Sequence, residues 1–392
     1  MTAGSGPRVL DAAALLSEIA DEVVVRTVRD THVAWLDRVH GILRRRAVDP
    51  GGVAPLTEVV HRGVAAGVYG GLGAGCRAAA AGLGALADRG VGPALEDTPR
   101  GRFLTSAVDG IIGDRLARER PRLAVPLAVR RDGRDVSADP AALAAAFPSA
   151  TGRVAVLLHG LSENESAFDR RRADVGATYA ETLAALGWTP VLLRANTGLG
   201  VRENGVALAA LLRDLVAAWP AAVDRLALVG HSMGGLLLRA ACAVALEDEQ
   251  PWTARVAHVV TLGTPHLGAP LAGGVGHGAR ALARLPETAA FGRILDQRSA
   301  GVHDLVHGLG EEVPPLPHAR YHLVSATLAR SPYHPVSRFL GDLLVRQPSA
   351  YGRGRRQPGL FPGADELHLP ATGHLDLLNH PEVHTALRTW LD

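Results

Sequence analysis

Gly230-His231-Ser232-Met233-Gly234 sets one serine between glycines two residues to either side. A short apolar run, 226–229, leads into it, and an apolar helical pattern, 236–246, follows. Strand, G-x-S-x-G, helix predicts a sharp turn that lifts the Ser232 hydroxyl clear of a sheet. The glycines suit such a turn because bulkier side chains there would strike the neighbouring strand and helix. A passive serine in a glycine-rich loop is the plainer reading of the same five residues.

A serine hydroxyl is a weak nucleophile at neutral pH. It needs a base to take its proton and a third group to orient that base. On a turn of this type the chain order is serine, acid, histidine. Residues 366–370 read as a last strand, 371–374 as the loop leaving it, and 375–391 as a closing helix. His374, in that loop, is the expected base. His368 alternates with apolar residues in the strand, and His380 and His384 come later, so structural roles are expected for these three. The acid should follow the preceding strand, 320–326. Asp342 is the one aspartate between that strand and residue 365, which makes it the expected acid. Asp296 and Asp304 are the fallbacks, and Asp376 lies too near His374 in sequence for the geometry. Acyl transfer also needs amide donors for a tetrahedral oxyanion. The expected donors are the Met233 amide, next after the serine, and the Leu161 amide, after the apolar run 154–158 and His159-Gly160. His159 itself reads as a loop brace.

These motifs together, VLLHGL (156–161), NTGL (196–199), GHSMGG (230–235), TLGTPHLGAPL (261–271), GDLLV (341–345) and GHLDLL (373–378), resemble the α/β-hydrolase superfamily. Within it they are most similar to the lipase and inositol-deacylase-like esterase branches. The resemblance spans residues 120–392. It implies hydrolysis of a small-molecule or lipid ester through an acyl-enzyme, with no metal or organic cofactor. Thioesterase, polyester deacylase and inositol deacylase activity share this chemistry, and a non-catalytic scaffold on the same fold is the alternative class. The acidic loop 162–166, Ser-Glu-Asn-Glu-Ser, departs from the pattern expected at such an entrance.

The elements that must position these residues follow from periodicity. Strands are expected at 153–158, 189–194, 225–229, 256–262, 320–326 and 366–369, and helices at 172–186, 203–219, 234–247 and 376–391. Alternation of this kind predicts an α/β fold: a mainly parallel sheet with helices on both faces. A hairpin turning at Asp132-Gly133, between 123–129 and 134–136, would supply an antiparallel start. Residues 264–319 break the rhythm and read as a helical cap over the serine or as packing helices. His303 and His307 share a helix face there without a third ligand, so no metal site is expected. Residues 346–362 read as an arginine-rich loop. Residues 1–119 read as a separate helical region, broken near 49–52 and 89–93, with a further helix at 102–118.

Composition sets the outer bounds. In 392 residues, 47% hydrophobic content is ordinary for a globular protein and supplies a normal core. The formal net charge of +2 argues against nucleic acid as a partner. All 41 basic residues are arginine, a compositional bias rather than a phosphate-binding pattern. Two cysteines, Cys76 and Cys242, make no disulfide framework. Acids at positions 11, 18, 21 and 22 interrupt the N-terminal apolar pattern, so no signal peptide is expected, and the enzyme is expected in the cytoplasm. Gly63, Gly67, Gly71 and Gly75 repeat every four residues. That spacing suits a closely packed helix, with peripheral membrane contact as the second reading.

Overall fold

The computed structural model describes residues 7–45, 54–245, 251–269, 299–310, 313–331, 334, 341–342, 344–354 and 359–392. The chain divides into two compact units at residue 101/102. The first holds α1 (Val9–Ile19), a π-helical turn (Ala20–Val25), α2 (Arg26–Arg45) and α3 (Ala54–Asp88). Asp21 is buried between Arg77 and Arg26. Burial would raise its carboxyl, but the two guanidinium groups hold it below its usual value. The Gly63, Gly67, Gly71, Gly75 face of α3 has nothing within 4 Å of an added Cβ, so among the described residues it makes no close helix contact. No described helix is long and apolar enough to cross a membrane.

The second unit, entered through α4 (Pro99–Glu119), is built on a sheet. In chain order it contains β1 (Ala128–Arg131), β2 (Arg134–Val136), α5 (Pro140–Ala146), β3 (Arg153–Leu158), α6 (Arg172–Val175) and α7 (Tyr179–Ala185). Next come β4 (Thr189–Arg194), α8 (Val201–Ala218), β5 (Arg225–His231), α9 (Met233–Ala245) and β6 (Val256–Leu262). The unit ends with α10 (Ala300–His307), β7 (Arg320–Thr327), α11 (Gln347–Ala350), β8 (Asp365–Pro370) and α12 (Pro381–Trp390). Among the described residues the eight strands run in the order β2-β1-β4-β3-β5-β6-β7-β8. Among them, β1 alone runs opposite to the rest. This is the expected doubly covered parallel sheet.

Period-two side-chain alternation divides its core into two layers. Val154, Val156 and Leu158 of β3 join Leu226 and Leu228 of β5 under α8 and α9. Ala155, Leu157, Ala227 and Val229 face the other way, against α7 and α12. Strands buried on both faces therefore read in sequence as unbroken apolar runs.

Three element boundaries differ from expectation. The hairpin's first strand begins at Ala128, not 123, because Pro126 has no N–H for a ladder. Its turn at Asp132-Gly133 has positive φ at both residues, as a two-residue loop requires. The helix expected at 172–186 is two helices, broken at Gly176 (φ 89°). Thr178 restarts it, with Glu181 completing a reciprocal cap. The closing helix begins at Pro381, after a 3₁₀ turn at His374–Leu377. The break expected near 49–52 lies outside the described residues, as do 270–298 of the expected cap and Arg355 and Arg356 of the arginine-rich loop.

Within this unit, α4 is tied down by Asp109, whose Oδ1 accepts from Val125 N. Burial pushes this carboxyl up to about 7, against the backbone hydrogen bonds it accepts. Folding thus favours its neutral form. The stabilisation is full below the unfolded value of 3.8 and is lost as pH rises through about 7. Asp109→Asn keeps the acceptor and removes the charge. Chemical denaturation should show the variant more stable than wild type by about 4 kcal/mol at pH 8, with the gap closing by pH 4.

Candidate active site

The carboxyl ends of β3, β5 and β8 deliver three loops to one edge of the sheet, where parallel α/β sheets place their sites. At the end of β5, Ser232 has φ 52°, in the left-handed region. For a residue with a Cβ this costs about 1–3 kcal/mol, sustained by the packing around it. The Ser232 amide donates to Leu262 O (2.8 Å), tying the turn to β6. A Cβ on Gly230 would lie 2.5 Å from Gly235 Cα, and one on Gly234 would lie 2.3 Å from Leu158 O. Strand, turn and helix meet so closely that only glycine fits at either position.

His374 follows β8, and its Nδ1 lies 2.8 Å from Asp342 Oδ2 with both side chains buried. Asp342 is oriented in turn: Oδ1 accepts from the amides of Leu344 (3.0 Å) and Val345 (2.8 Å). Its carbonyl accepts from His374 N (3.0 Å). With Nδ1–H engaged, Nε2 is left as the lone-pair nitrogen. Nε2 is buried and bonds to no other described atom. His374 and Ser232 line the same cavity of about 130 Å³, whose other walls include Leu161, Pro265, Ala269, Leu305, Leu344, Val345 and Leu375.

The other titratable groups weighed in the sequence have structural work. His368 bonds Ser325 and Thr327, His384 bonds Thr182, and His380 caps α12. Asp304 accepts from Val201 N at the start of α8. Asp296 lies outside the described residues. No group of three or more metal-ligating side chains occurs among the described residues.

The expected amide donors, Leu161 and Met233, donate to no protein acceptor among the described residues. His159 braces the first of them. Its Nε2 accepts from Ala195 N (3.1 Å), so Nδ1 carries the proton and donates to Gly160 O (2.9 Å). Burial holds His159 below its usual pKa, in keeping with this neutral tautomer. The NTGL segment supports the same loop: Thr197 Oγ1 accepts from Ser162 N (3.0 Å). Gly263 of the TLGTPHLG segment (φ 60°) brings bare backbone against the His374 ring, where a Cβ would lie 3.1 Å from Cε1.

Three residues here escape sequence reasoning. Glu163, in the acidic loop, accepts from Gly160 N (2.8 Å) and faces His231 Nδ1 (2.9 Å). Burial would raise the Glu163 carboxyl, but His231 and the Gly160 amide hold it down to about 2. Burial likewise opposes a charge on His231, and Glu163 outweighs it, raising His231 above its usual value. Tyr179 and Asn379 anchor the far side of the His374 loop. The Tyr179 hydroxyl donates to Leu377 O and accepts from His380 N, while Asn379 bonds Tyr179 N, Phe168 O and Arg170 O.

Residues 149–288, which contain both the loop after β3 and the Ser232 turn, match the family described as "Putative serine esterase (DUF676)". The chain has the α/β-hydrolase fold. Its matched family marks it as a carboxylic ester hydrolase of the serine type. Among solved structures the chain is similar to the mature form of Bacillus licheniformis lipase BlEst2. That match has 20% identity, covers 61% of this chain and 91% of that chain, and has a TM-score of 0.41. It is similar also to carboxylesterase CesB (YbfK) from Bacillus subtilis, at 14% identity, 74% and 97% coverage and a TM-score of 0.38. The Pyrococcus furiosus esterase Pf2001 matches at 16% identity, 62% and 84% coverage and a TM-score of 0.36. No curated protein sequence matches this hydrolase.

The close approach at Gly234 makes a direct prediction. Gly234→Ala drives a Cβ into the Leu158 carbonyl, which the sheet prevents from moving. Urea unfolding should show a loss of at least about 2 kcal/mol.

Proposed function

We propose that this hydrolase cleaves carboxylic esters of hydrophobic acyl groups through an acyl-enzyme on Ser232. The observation that carries the reading is the buried hydrogen bond from His374 Nδ1 to Asp342 Oδ2 (2.8 Å), which leaves Nε2 as an acceptor at the cavity Ser232 also lines. His374 Nε2 takes the Ser232 proton as Oγ attacks the ester carbonyl. The developing oxyanion is received by the Leu161 and Met233 amides, each worth about 3 kcal/mol in the transition state. Collapse expels the alcohol, which takes the proton from His374. Water, deprotonated by His374, then attacks the acyl carbonyl and frees Ser232. Asp342 holds the imidazole's tautomer and stabilises its charged form. The apolar walls, Leu161, Pro265, Leu305, Val345 and Leu375, suit an acyl chain rather than a charged acid portion.

The test is hydrolysis of p-nitrophenyl esters of increasing acyl length, beside labelling by a fluorophosphonate. Wild type should hydrolyse and label, and Ser232→Ala should do neither, losing on the order of 10⁶ in kcat. Activity retained by Ser232→Ala would overturn the reading. A wild type inert to every ester and to the probe would favour a non-catalytic scaffold instead. Asp342→Asn turns an acceptor into a possible donor and favours the wrong His374 tautomer. It should lower kcat by about 10⁴ while thermal melting stays near that of wild type.

A further inference from the structure

The loop after Leu161 is acidic, yet neither of its carboxylates belongs to the proposed triad. Glu165 is engaged elsewhere, 3.0 Å from Arg130 Nε. Glu163 turns toward the site. A single oxygen, Oε2, both accepts from Gly160 N and faces His231 Nδ1. The other nitrogen of His231, Nε2, is 3.4 Å from the carbonyl oxygen of His374, and the two imidazole rings lie 5.0 Å apart. His231 is the residue before Ser232, and Gly160 the residue before Leu161. One ion pair therefore touches the loops after β3, β5 and β8 where they meet at the cavity.

The geometry points to a positioning role for Glu163 and His231: we infer that they fix the direction of the Leu161 amide relative to Ser232 and His374. The inference rests on the esterase reading of Ser232 given above. The Leu161 N–H belongs to the peptide plane it shares with the Gly160 carbonyl, and in a trans peptide the two point in opposite directions. That carbonyl is held by His159 Nδ1 (2.9 Å) and by Glu163 N (3.2 Å). The preceding amide, Gly160 N, is held by the Glu163 carboxylate. Glu163 thus clamps Gly160 on both sides, through its backbone and its side chain, and the Leu161 N–H is set by exclusion. A Cβ at Gly160 would lie 2.9 Å from Ser232 Cβ and 3.2 Å from His231 Nδ1, so this clamp sits directly against the nucleophile.

Charge supports the same assignment. Glu163 lines the cavity, where a lone carboxylate would oppose an oxyanion forming nearby. His231 carries the compensating proton, donating Nδ1–H to Glu163 and Nε2–H toward the His374 carbonyl. Asp342 adds a second negative charge on the far side of His231, and His159 faces Glu163. The pair therefore presents little net charge to the reacting carbonyl while holding the donor in place.

The experiment compares Glu163→Ala, Glu163→Gln and wild type on p-nitrophenyl butyrate. Rates are expressed per serine titrated to completion by a fluorophosphonate, so misfolded enzyme does not count. A donor displaced from its place should lower kcat of Glu163→Ala by about 100-fold, with KM changed by less than about 3-fold. Glu163→Gln can still accept from Gly160 N and from a neutral His231, and should recover about 10-fold of that loss. A merely structural glutamate would lower the melting temperature and the titrated fraction and leave kcat per site unchanged. That result, a loss confined to KM, or a Gln variant no better than Ala would overturn the inference. Should Glu163→Ala fail to fold, Glu163→Asp takes its place. Its shorter arm keeps the charge but cannot span both partners, so an unchanged kcat would be equally fatal. If wild type neither hydrolyses nor labels, the esterase reading falls and the inference with it. If Ser232→Ala is dead and the Glu163 series is flat, only the inference falls.

Discussion

The backbone approach at the Ser232 turn is the constraint from which the rest of the site takes its shape. A serine at φ 52° is unfavourable by itself and persists only because the surrounding chain leaves it no alternative. The Ser232 amide is bound to Leu262 O on one side. On the other, the Gly234 Cα lies against the Leu158 and His159 carbonyls. Strand β3 and the Ser232 turn are thereby joined through bare backbone, at a spacing that side chains would destroy. Because the contact is with the end of β3, the loop carrying Gly160 and Leu161 is delivered to the serine by the same packing that strains it.

Around this contact the site is assembled from buried polar groups that each have a partner. Asp342 answers to two amides and a histidine, and Glu163 to one amide and a histidine. Buried charge is tolerated on such terms, since an unpaired carboxylate would instead take up a proton. Asp109 is the contrast: backbone amides reach it, but burial dominates and its carboxyl rises to about 7. Close to the cavity, the Glu163 carboxyl is held down instead, because His231 and the Gly160 amide were built against it. The hydrogen bonds that satisfy them run between different loops, so the same bonds that remove the cost of burial also set the geometry.

Much of this was legible in the chain. The strands could be read because a doubly covered parallel sheet buries both faces, so each strand is an apolar run bounded by turn residues. His374 could be chosen as a candidate because it lies in the loop after the last strand. Asp342 could be chosen because no other aspartate lay between β7 and residue 365. The breaks at Gly176 and Pro381 were written in the chain but outvoted by apolar periodicity. Thr178 and Glu181 form a cap that a search for starts inside the 172–186 pattern would have found. The acidic loop could be noticed as odd but not explained, since nothing local to residues 162–166 names His231 as the partner.

By itself, the sequence determined the class of the fold and the order of its strands and helices, and it placed Ser232, Asp342 and His374 after strands. These follow from local rules: periodicity, turn chemistry and chain order act over a few residues and need no distant contact. Only the tertiary structure decided which side chains meet. Asp342 lies 32 residues from His374, and Glu163 lies 68 from His231, yet each pair is held within 2.9 Å. Such pairing depends on where strand ends fall within the sheet and on how glycine lets one backbone reach another. Spacing along the chain cannot encode that proximity, because it is the folded packing of separate loops that creates it.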